Sequence, residues 1–492
     1  MPSPIRILRS LLFMEINEEN IRRLVGEIVR GLDLSGSGAS GAGSTTAAGL
    51  DRTGIYADLD GALKAAAQSH LELMSMTLEK RREIIQCMRN TICDNSEELA
   101  RMAVEETGMG RVQDKVAKNR VAALGTPGPE DLAPLAYTDD HGLTLVERAP
   151  YGVVGAITPS TNPTETIINN AIGMISGGNS VVFNAHPAAG RVSAFTITLL
   201  NEAIIECGGP ANLICAAASP TLETAQQLMK DPRVSLLVVT GGPAVVKAAM
   251  SNSKKVIAAG PGNPPCVVDE TADLVKTGRD IVNGAGFDNN IVCICEKEIL
   301  VVASIADKLI AEMKKNGAFL LTSEQTERIT GMVIADPGRP GHEGMANKAF
   351  VGKDAQVIGR AASIEVPDQT RILVCEVNRD HPLVWTEQLM PVIPLVRMAG
   401  CDEAIDFAVQ CEHGFRHTAV MHSLNIEKLS RMARVMNCSL FVKNGSSYNG
   451  LGNGGAGFTS FTIASPTGEG FTRARTFTRE RRCALIDYFR IV

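Results

Sequence analysis

Two cysteines, one residue apart, stand in the run Asn289-Asn290-Ile291-Val292-Cys293-Ile294-Cys295-Glu296-Lys297-Glu298. Four chemistries suit such a pair: metal ligation, dithiol exchange, apolar filling, or a nucleophile beside a bystander. A tetrahedral metal site needs two further N or S ligands. His413, His417 and His422 could supply them, but nothing in the sequence ties that cluster to the cysteines. Dithiol exchange favours C-x-x-C spacing, which this is not. If 292–296 were extended, Cys293 and Cys295 would share one face. The preceding stretch, Gly284-Ala285-Gly286-Phe287-Asp288-Asn289-Asn290, is rich in glycine and amides, as expected of an active-site loop. That context favours one nucleophile and one bystander.

Other candidate residues lie in turns between apolar runs. Runs at 153–157, 180–183, 213–215 and 236–239 are short and apolar, and helical patterns fill 164–175, 188–207 and 222–230. Buried strands alternating with helices imply an α/β fold with a parallel, doubly wound sheet. Ligands then bind beyond the carboxyl ends of the strands. Three loops fall there: Thr158-Pro159-Ser160-Thr161-Asn162-Pro163, Asn184-Ala185-His186-Pro187 and Thr240-Gly241-Gly242-Pro243. Gly241 and Gly242 would let backbone approach a phosphate at a helix N-terminus. One Gly-Gly turn is as readily a tight connection; three loops on one edge favour a nucleotide site. A second α/β set is expected from about 258 to 439, with a strand over 298–303.

The 492 residues are 45% hydrophobic, enough for a large core and two or three domains. With 21% charged residues and a formal net charge of -6, there is no electrostatic reason to expect a nucleic-acid partner. No run reaches the roughly 18 apolar residues of a membrane span, and residues 1–13 lack the apolar core of a secretory signal. The 12 cysteines fall mostly inside apolar runs, which suits reduced thiols in a cytoplasmic protein. Near the start, Ile21, Leu24, Val25, Ile28, Val29 and Leu32 form one apolar stripe at helical spacing, with Asn17 or Asn20 as cap. Residues 35–50 then read as a flexible Gly/Ser-rich linker. A tethered amphipathic helix suits docking, on its own domain or in a partner's groove. Met14 is an alternative start to Met1.

Six stretches, in this order and spacing, resemble the aldehyde dehydrogenase superfamily. They are Glu106-Thr107-Gly108-Met109-Gly110-Arg111, Ile157-Thr158-Pro159-Ser160-Thr161-Asn162-Pro163, Val239-Thr240-Gly241-Gly242, Ala259-Gly260-Pro261-Gly262-Asn263-Pro264-Pro265, Phe287-Asp288-Asn289-Asn290-Ile291-Val292-Cys293 and Pro466-Thr467-Gly468-Glu469-Gly470. Within the superfamily the chain is most similar to the CoA-acylating enzymes of bacterial microcompartments, of ethanolamine- and propanediol-utilisation type, from about Tyr56 to Val492. The resemblance implies an aldehyde dehydrogenase-like fold. A Rossmann-type NAD/CoA-binding domain would span 51–258 and include an oligomerisation hairpin at 129–150. A catalytic domain would span 259–438, and 439–492 would return with an oligomerisation strand near 484–492. It implies a homo-oligomer, dimer or tetramer. It also makes residues 1–34 a targeting helix for microcompartment shell or lumen proteins, which places the enzyme in the lumen of a cytoplasmic microcompartment.

Carried over residue by residue, the resemblance makes Cys293 the nucleophile and Cys295 a packing neighbour. Asn162 and the Cys293 N–H become donors to an oxyanion. Glu387, in Trp385-Thr386-Glu387, matches the position that grips the nicotinamide ribose. Thr158, Pro159, Ser160, Thr240, Gly241, Gly242 and Gly260 would line the cofactor cleft. His186 and Pro187 would frame the adenosine region used in turn by NAD and coenzyme A. Hydrolytic relatives carry a glutamate just before the Gly-rich turn, where Ala258-Ala259-Gly260 has none. The implied reaction converts a short-chain aldehyde (propionaldehyde or acetaldehyde), NAD and coenzyme A to acyl-CoA and NADH. The alternatives are a hydrolytic dehydrogenase making free acid and an inactive lumen scaffold. What depresses the Cys293 pKa is not legible in the sequence; a nearby helix N-terminus is one candidate. His417 stands either near the thiol or as a satisfied structural histidine.

Overall fold

Apolar residues at helical spacing between 59 and 125 produce four helices: Leu59–Ser75, Leu78–Asp94, Ser96–Thr107 and Val112–Gly125. Asp58 and Thr77 cap the first two by accepting from Gly61 N and Lys80 N. Their buried stripes, including Leu63, Leu73, Ile84, Met88 and Ile92, join the cores on the first sheet. This computed structural model describes residues 53–492, so the expected targeting helix (1–34) and linker (35–50) lie outside the described residues.

That first sheet is six-stranded and parallel, in the order Ile55–Tyr56, Ile214–Ala217, Ser180–Asn184, Val153–Ile157, Val234–Thr240, Lys255–Ala259. Helices Pro163–Ser176, Gly190–Glu206 and Leu222–Lys230 lie close to the spans expected from sequence. The strand order reverses between Val153–Ile157 and Val234–Thr240, the switch point at which ligands bind in such sheets. The second sheet has seven parallel strands, in the order Ala318–Leu320, Ile372–Glu376, Val392–Met398, Glu298–Val302, Pro265–Val268, Thr418–His422, Leu440–Lys443. Its last strand lies beyond residue 438, so the second layer extends further than the boundary read from sequence.

Only residues 260–264 separate strand Lys255–Ala259 from strand Pro265–Val268. Such a segment reaches at most roughly 20 Å. The carboxyl edge of the first sheet is therefore held beside the amino edge of the second. This corrects the expectation that all ligand loops follow strand ends: the second layer contributes residues that precede its strands.

A third sheet is antiparallel: Leu135–Asp139 pairs with Gly142–Pro150, which pairs with Thr478–Ile486. The return strand thus begins earlier than the 484–492 expected. Two other expectations fail. Residues 292–296 form turns, not a strand, and the strand starts at Glu298. Cys87 and Cys207 form a disulfide, with Cα atoms 6.6 Å apart, because helix Leu78–Asp94 packs beside helix Gly190–Glu206. The expectation of uniformly reduced thiols missed a pairing set by two helices distant in sequence. No helix among the described residues is long and apolar enough to cross a membrane.

Candidate active site

Cys293 sits in the turn between a short 3-10 segment, Phe287–Asn290, and strand Glu298–Val302. The backbone before it is unusual: Asp288, Asn289 and Asn290 have φ of 47°, 54° and 65°. Asp and Asn tolerate this left-handed region better than other side chains, but three in succession require outside support. Each has it. Asp288 Oδ1 accepts from Arg111 N at 2.7 Å, and Asp288 N donates to Asp114 Oδ2 at 3.0 Å. Asn289 Nδ2 donates to Gly352 O and Asp354 Oδ1, both at 2.9 Å. Asn290 Nδ2 donates to Ala285 O and Glu296 O at 2.8 and 2.9 Å. Buried Lys297 completes the loop, donating to Asn290 O at 2.8 Å and Asn290 Oδ1 at 2.5 Å.

The two cysteines are unlike. Cys295 is fully buried and points its thiol at Phe287 O, 3.8 Å away. Cys293 is partly exposed. Burial in the surrounding protein pushes its thiol up to about 12, and the Glu387 carboxylate adds to this, while Lys297 and Lys118 oppose it. The thiol is therefore raised, not depressed by a helix N-terminus.

Glu387, Gly262 and His417 stand at neighbouring strand starts of the second sheet, as Cys293 does. Gly262 N donates to Glu387 Oε1 at 3.3 Å. A Cβ on Gly262 would stand 2.9 Å from both Cys293 O and His417 Cγ, so only glycine lets these meet. Burial raises the Glu387 carboxyl to about 7, with Glu343 adding and Lys297 opposing. His417 is fully buried and held to about 4 by burial and by Lys297; its Nδ1 meets Thr418 Oγ1 at 2.8 Å and its Nε2 has no partner.

The first sheet supplies the facing wall. Thr158, Pro159 and Ser160 follow strand Val153–Ile157, and Thr240, Gly241 and Gly242 end strand Val234–Thr240 across the switch point. Gly260 follows the next strand, and a Cβ there would stand 3.1 Å from Pro466 Cγ. Helix Pro243–Met250 opens at Gly242 with no side-chain cap, and no heavy atom stands within 4 Å of where a Gly242 Cβ would be. By contrast, the N-terminus of helix Gly190–Glu206 is filled: Arg191 N and Val192 N donate to the Glu106 carboxylate at 2.8 and 2.7 Å. His186 and Pro187, just before it, lie one strand away on the exposed edge, where His186 Nδ1 accepts from Ala188 N at 3.1 Å. They are not brought to Cys293.

Asn162 stands at the N-cap of helix Pro163–Ser176 yet makes no capping bond. Its Oδ1 instead accepts from Lys118 Nζ at 2.6 Å. Lys118 also pairs with Asp288 at 2.5 Å and Glu165 at 2.9 Å, and Lys115 pairs with Asp288 at 3.1 Å and donates to Thr161 O at 3.2 Å. These four charges are all fully buried. Burial alone would raise the Asp288 carboxyl, but the two lysines outweigh it and hold it low; Lys118 is held high by Asp288 and Glu165 against burial. Sequence reading missed this cluster. A signal was present: the buried face of helix Val112–Gly125 comprises Lys115, Lys118, Asn119, Ala122 and Ala123, so polar residues occupy the core stripe at helical spacing.

Comparison with known proteins places the chain. The aldehyde dehydrogenase family profile matches residues 51–462. Over 478 residues the chain is 49% identical to the acetaldehyde dehydrogenase (acetylating) of Salmonella typhimurium, covering 97% of this chain and 100% of that one. It is 47% identical over 439 residues to the propanal dehydrogenase (CoA-propanoylating) of the same organism, covering 89% and 93%. The crystal structure of Rhodopseudomonas palustris propionaldehyde dehydrogenase, with bound CoA and an acylated cysteine, matches with a TM-score of 0.86 at 46% identity, over 88% of this chain and 98% of that one. A propionaldehyde dehydrogenase from the Clostridium phytofermentans fucose utilisation bacterial microcompartment matches with a TM-score of 0.86 at 45% identity, over 89% and 100%. With a profile match over most of its length and near-half identity to a full-length relative, the chain belongs to the aldehyde dehydrogenase family.

Proposed function

We propose that the enzyme oxidises a short-chain aldehyde, propionaldehyde or acetaldehyde, and passes the acyl group from Cys293 to coenzyme A. The observation that carries this is the bare turn beside the nucleophile: Gly260 to Gly262, packed against the Cys293 backbone, bears no carboxylate to activate water. Relatives whose names specify acetylation or CoA-propanoylation support the same acceptor.

Two features at the switch point suit a dinucleotide and the nucleotide end of coenzyme A. The open N-terminus at Gly242 suits a phosphate, and buried Thr158 Oγ1 lacks a partner at the switch point. NAD, when bound, supplies the hydride acceptor. Cys293 Sγ, as the thiolate, adds to the aldehyde carbonyl. Asn162 Nδ2 and the Cys293 N–H hold the resulting oxyanion. Glu387 orients the nicotinamide ribose, and its charge raises the thiol. Loss of hydride leaves a thioester on Cys293. With no base aimed at water, that thioester persists until the thiol of coenzyme A attacks it. Thr158, Pro159, Ser160, Thr240, Gly241, Gly242 and Gly260 shape the cleft, and His186 and Pro187 its adenosine end.

The assignment extends to organisation: 51–258 for NAD and coenzyme A, 259–438 plus strand Leu440–Lys443 for catalysis, and the three-stranded sheet for homo-oligomer contact. Residues 1–34 dock on microcompartment shell or lumen proteins, which puts the enzyme in the lumen; the microcompartment origin of one relative supports this. Unchanged co-purification with shells after deletion of 1–49 overturns that part. The chemistry is tested by NADH formation across a series of aldehydes. Acyl-CoA should form only with coenzyme A, and Cys293→Ala should abolish turnover. Free acid at full rate without coenzyme A refutes the acylating assignment.

A further inference from the structure

The cluster beneath the site has a chemical asymmetry. An amide side chain can point either way, but a lysine ammonium only donates. The Asn162 atom 2.6 Å from Lys118 Nζ is therefore the oxygen. The Asn162 nitrogen is left with a single long contact, to Thr161 Oγ1 at 3.3 Å. Asn162 also forgoes the capping bond that its position and residue type favour. A local preference abandoned in this way marks a function elsewhere.

We propose that Lys118 is a positioning residue for acyl transfer: it pins the Asn162 carboxamide oxygen so that the carboxamide N–H2 is presented to the oxyanion. The proposal rests on the reading of Asn162 as an oxyanion donor. Through Asp288 the same ammonium braces the left-handed turn that carries Cys293, so one buried charge registers the donor against the nucleophile. Glu165 and Asp288 balance Lys118 and Lys115, which keeps Lys118 protonated and unable to accept.

Replacing Lys118 alone would strand a buried carboxylate, so the test is the charge-balanced pair Lys118→Met with Glu165→Gln, beside Glu165→Gln alone. Activity is normalised to Cys293 alkylated by iodoacetamide, which counts folded sites. The pair should lose at least about tenfold in kcat with little change in KM for NAD, and Glu165→Gln alone, which leaves Lys118 on Asn162 and Asp288, should lose clearly less than the pair. Asn162→Ala should lose about 10²–10³-fold. Adding the pair to Asn162→Ala should cost far less than the product of the two separate losses, because both act mainly through one amide. Multiplying losses, or full kcat per reactive Cys293 in the pair, overturns the role of Lys118. Full kcat in Asn162→Ala overturns instead the donor assignment beneath it. Asn162→Asp probes the same contact with Lys118 intact. Paired with Lys118 it should stay ionised and inactive down to pH 5; recovery of activity on acidification would mean that the ammonium does not hold this position.

Discussion

At Cys293 charges of opposite sign meet one thiol. Burial and Glu387 push the thiol up to about 12, and Lys297 and Lys118 pull against them. Alkylation of Cys293 by iodoacetamide should thus keep rising with pH through 9, without a plateau near neutrality, since the thiolate is the reactive form. Glu387→Gln removes the carboxylate that raises the thiol, so the curve should move to lower pH; a shift to higher pH would refute that sign. Cys295 is fully buried, with its thiol at Phe287 O. Cys295→Ala should retain near-full turnover, measured as coenzyme-A-dependent NADH formation. Its cost should appear instead as a lowered thermal midpoint.

The elements around the site are held by close approaches that tolerate little change. Gly110, at φ 80°, lies where a Cβ would enter the Asp288 carboxylate. Gly110→Ala should therefore cost about 1–3 kcal/mol through backbone strain alone, and more through the charge cluster, with turnover falling as stability does; chemical denaturation compared with kcat measures both. Helix Gly190–Glu206 is anchored at one end by Glu106 and, just past the other, by the Cys87–Cys207 disulfide. Alkylation under denaturing conditions should find ten of the 12 cysteines free before reduction and all 12 after it. Cys87→Ser should lower stability by about 2–4 kcal/mol in the oxidised protein. Twelve free thiols in the native protein would refute the cross-link.

Across the whole molecule, two features make predictions of their own. The three-stranded sheet leaves Leu135, Tyr137, Leu485 and Ile486 between 44% and 62% exposed. Such apolar exposure suits a covering copy of the chain. Ile486→Asp should shift the assembly to smaller species by light scattering, and an unchanged mass would argue against this face as the contact. The second feature is proton linkage. Burial raises the Glu296 carboxyl from the ordinary range to about 7. Folded protein then holds this proton where unfolded chain has released it, so the stability is present below about pH 4.3 and is lost as pH rises through 7. Relative to wild type, Glu296→Gln should gain stability between pH 5 and pH 8, on the order of 2–3 kcal/mol; a relative loss over that range would contradict the sign.

What sequence alone determined was local or carried by motif. Apolar runs of three to six residues alternating with helices pointed to the parallel sheets, because burial on both faces leaves few polar positions in a strand. The segment Ala258-Ala259-Gly260 announced its lack of a carboxylate without any structure. Pattern misled at 292–296, where apolar residues read as a strand but the buried Lys297 and three left-handed residues fold them into turns. Only tertiary structure decided three things. It set the carboxyl edge of one sheet against the amino edge of the other, through the short 260–264 link. It brought Lys118 to Asn162 and Asp288, residues 44 and 170 positions away along the chain, where charges buried away from water had to find partners. And it set the unlike surroundings of two cysteines that the motif had already told apart, because exposure and neighbouring charge belong to the folded surface and not to the chain.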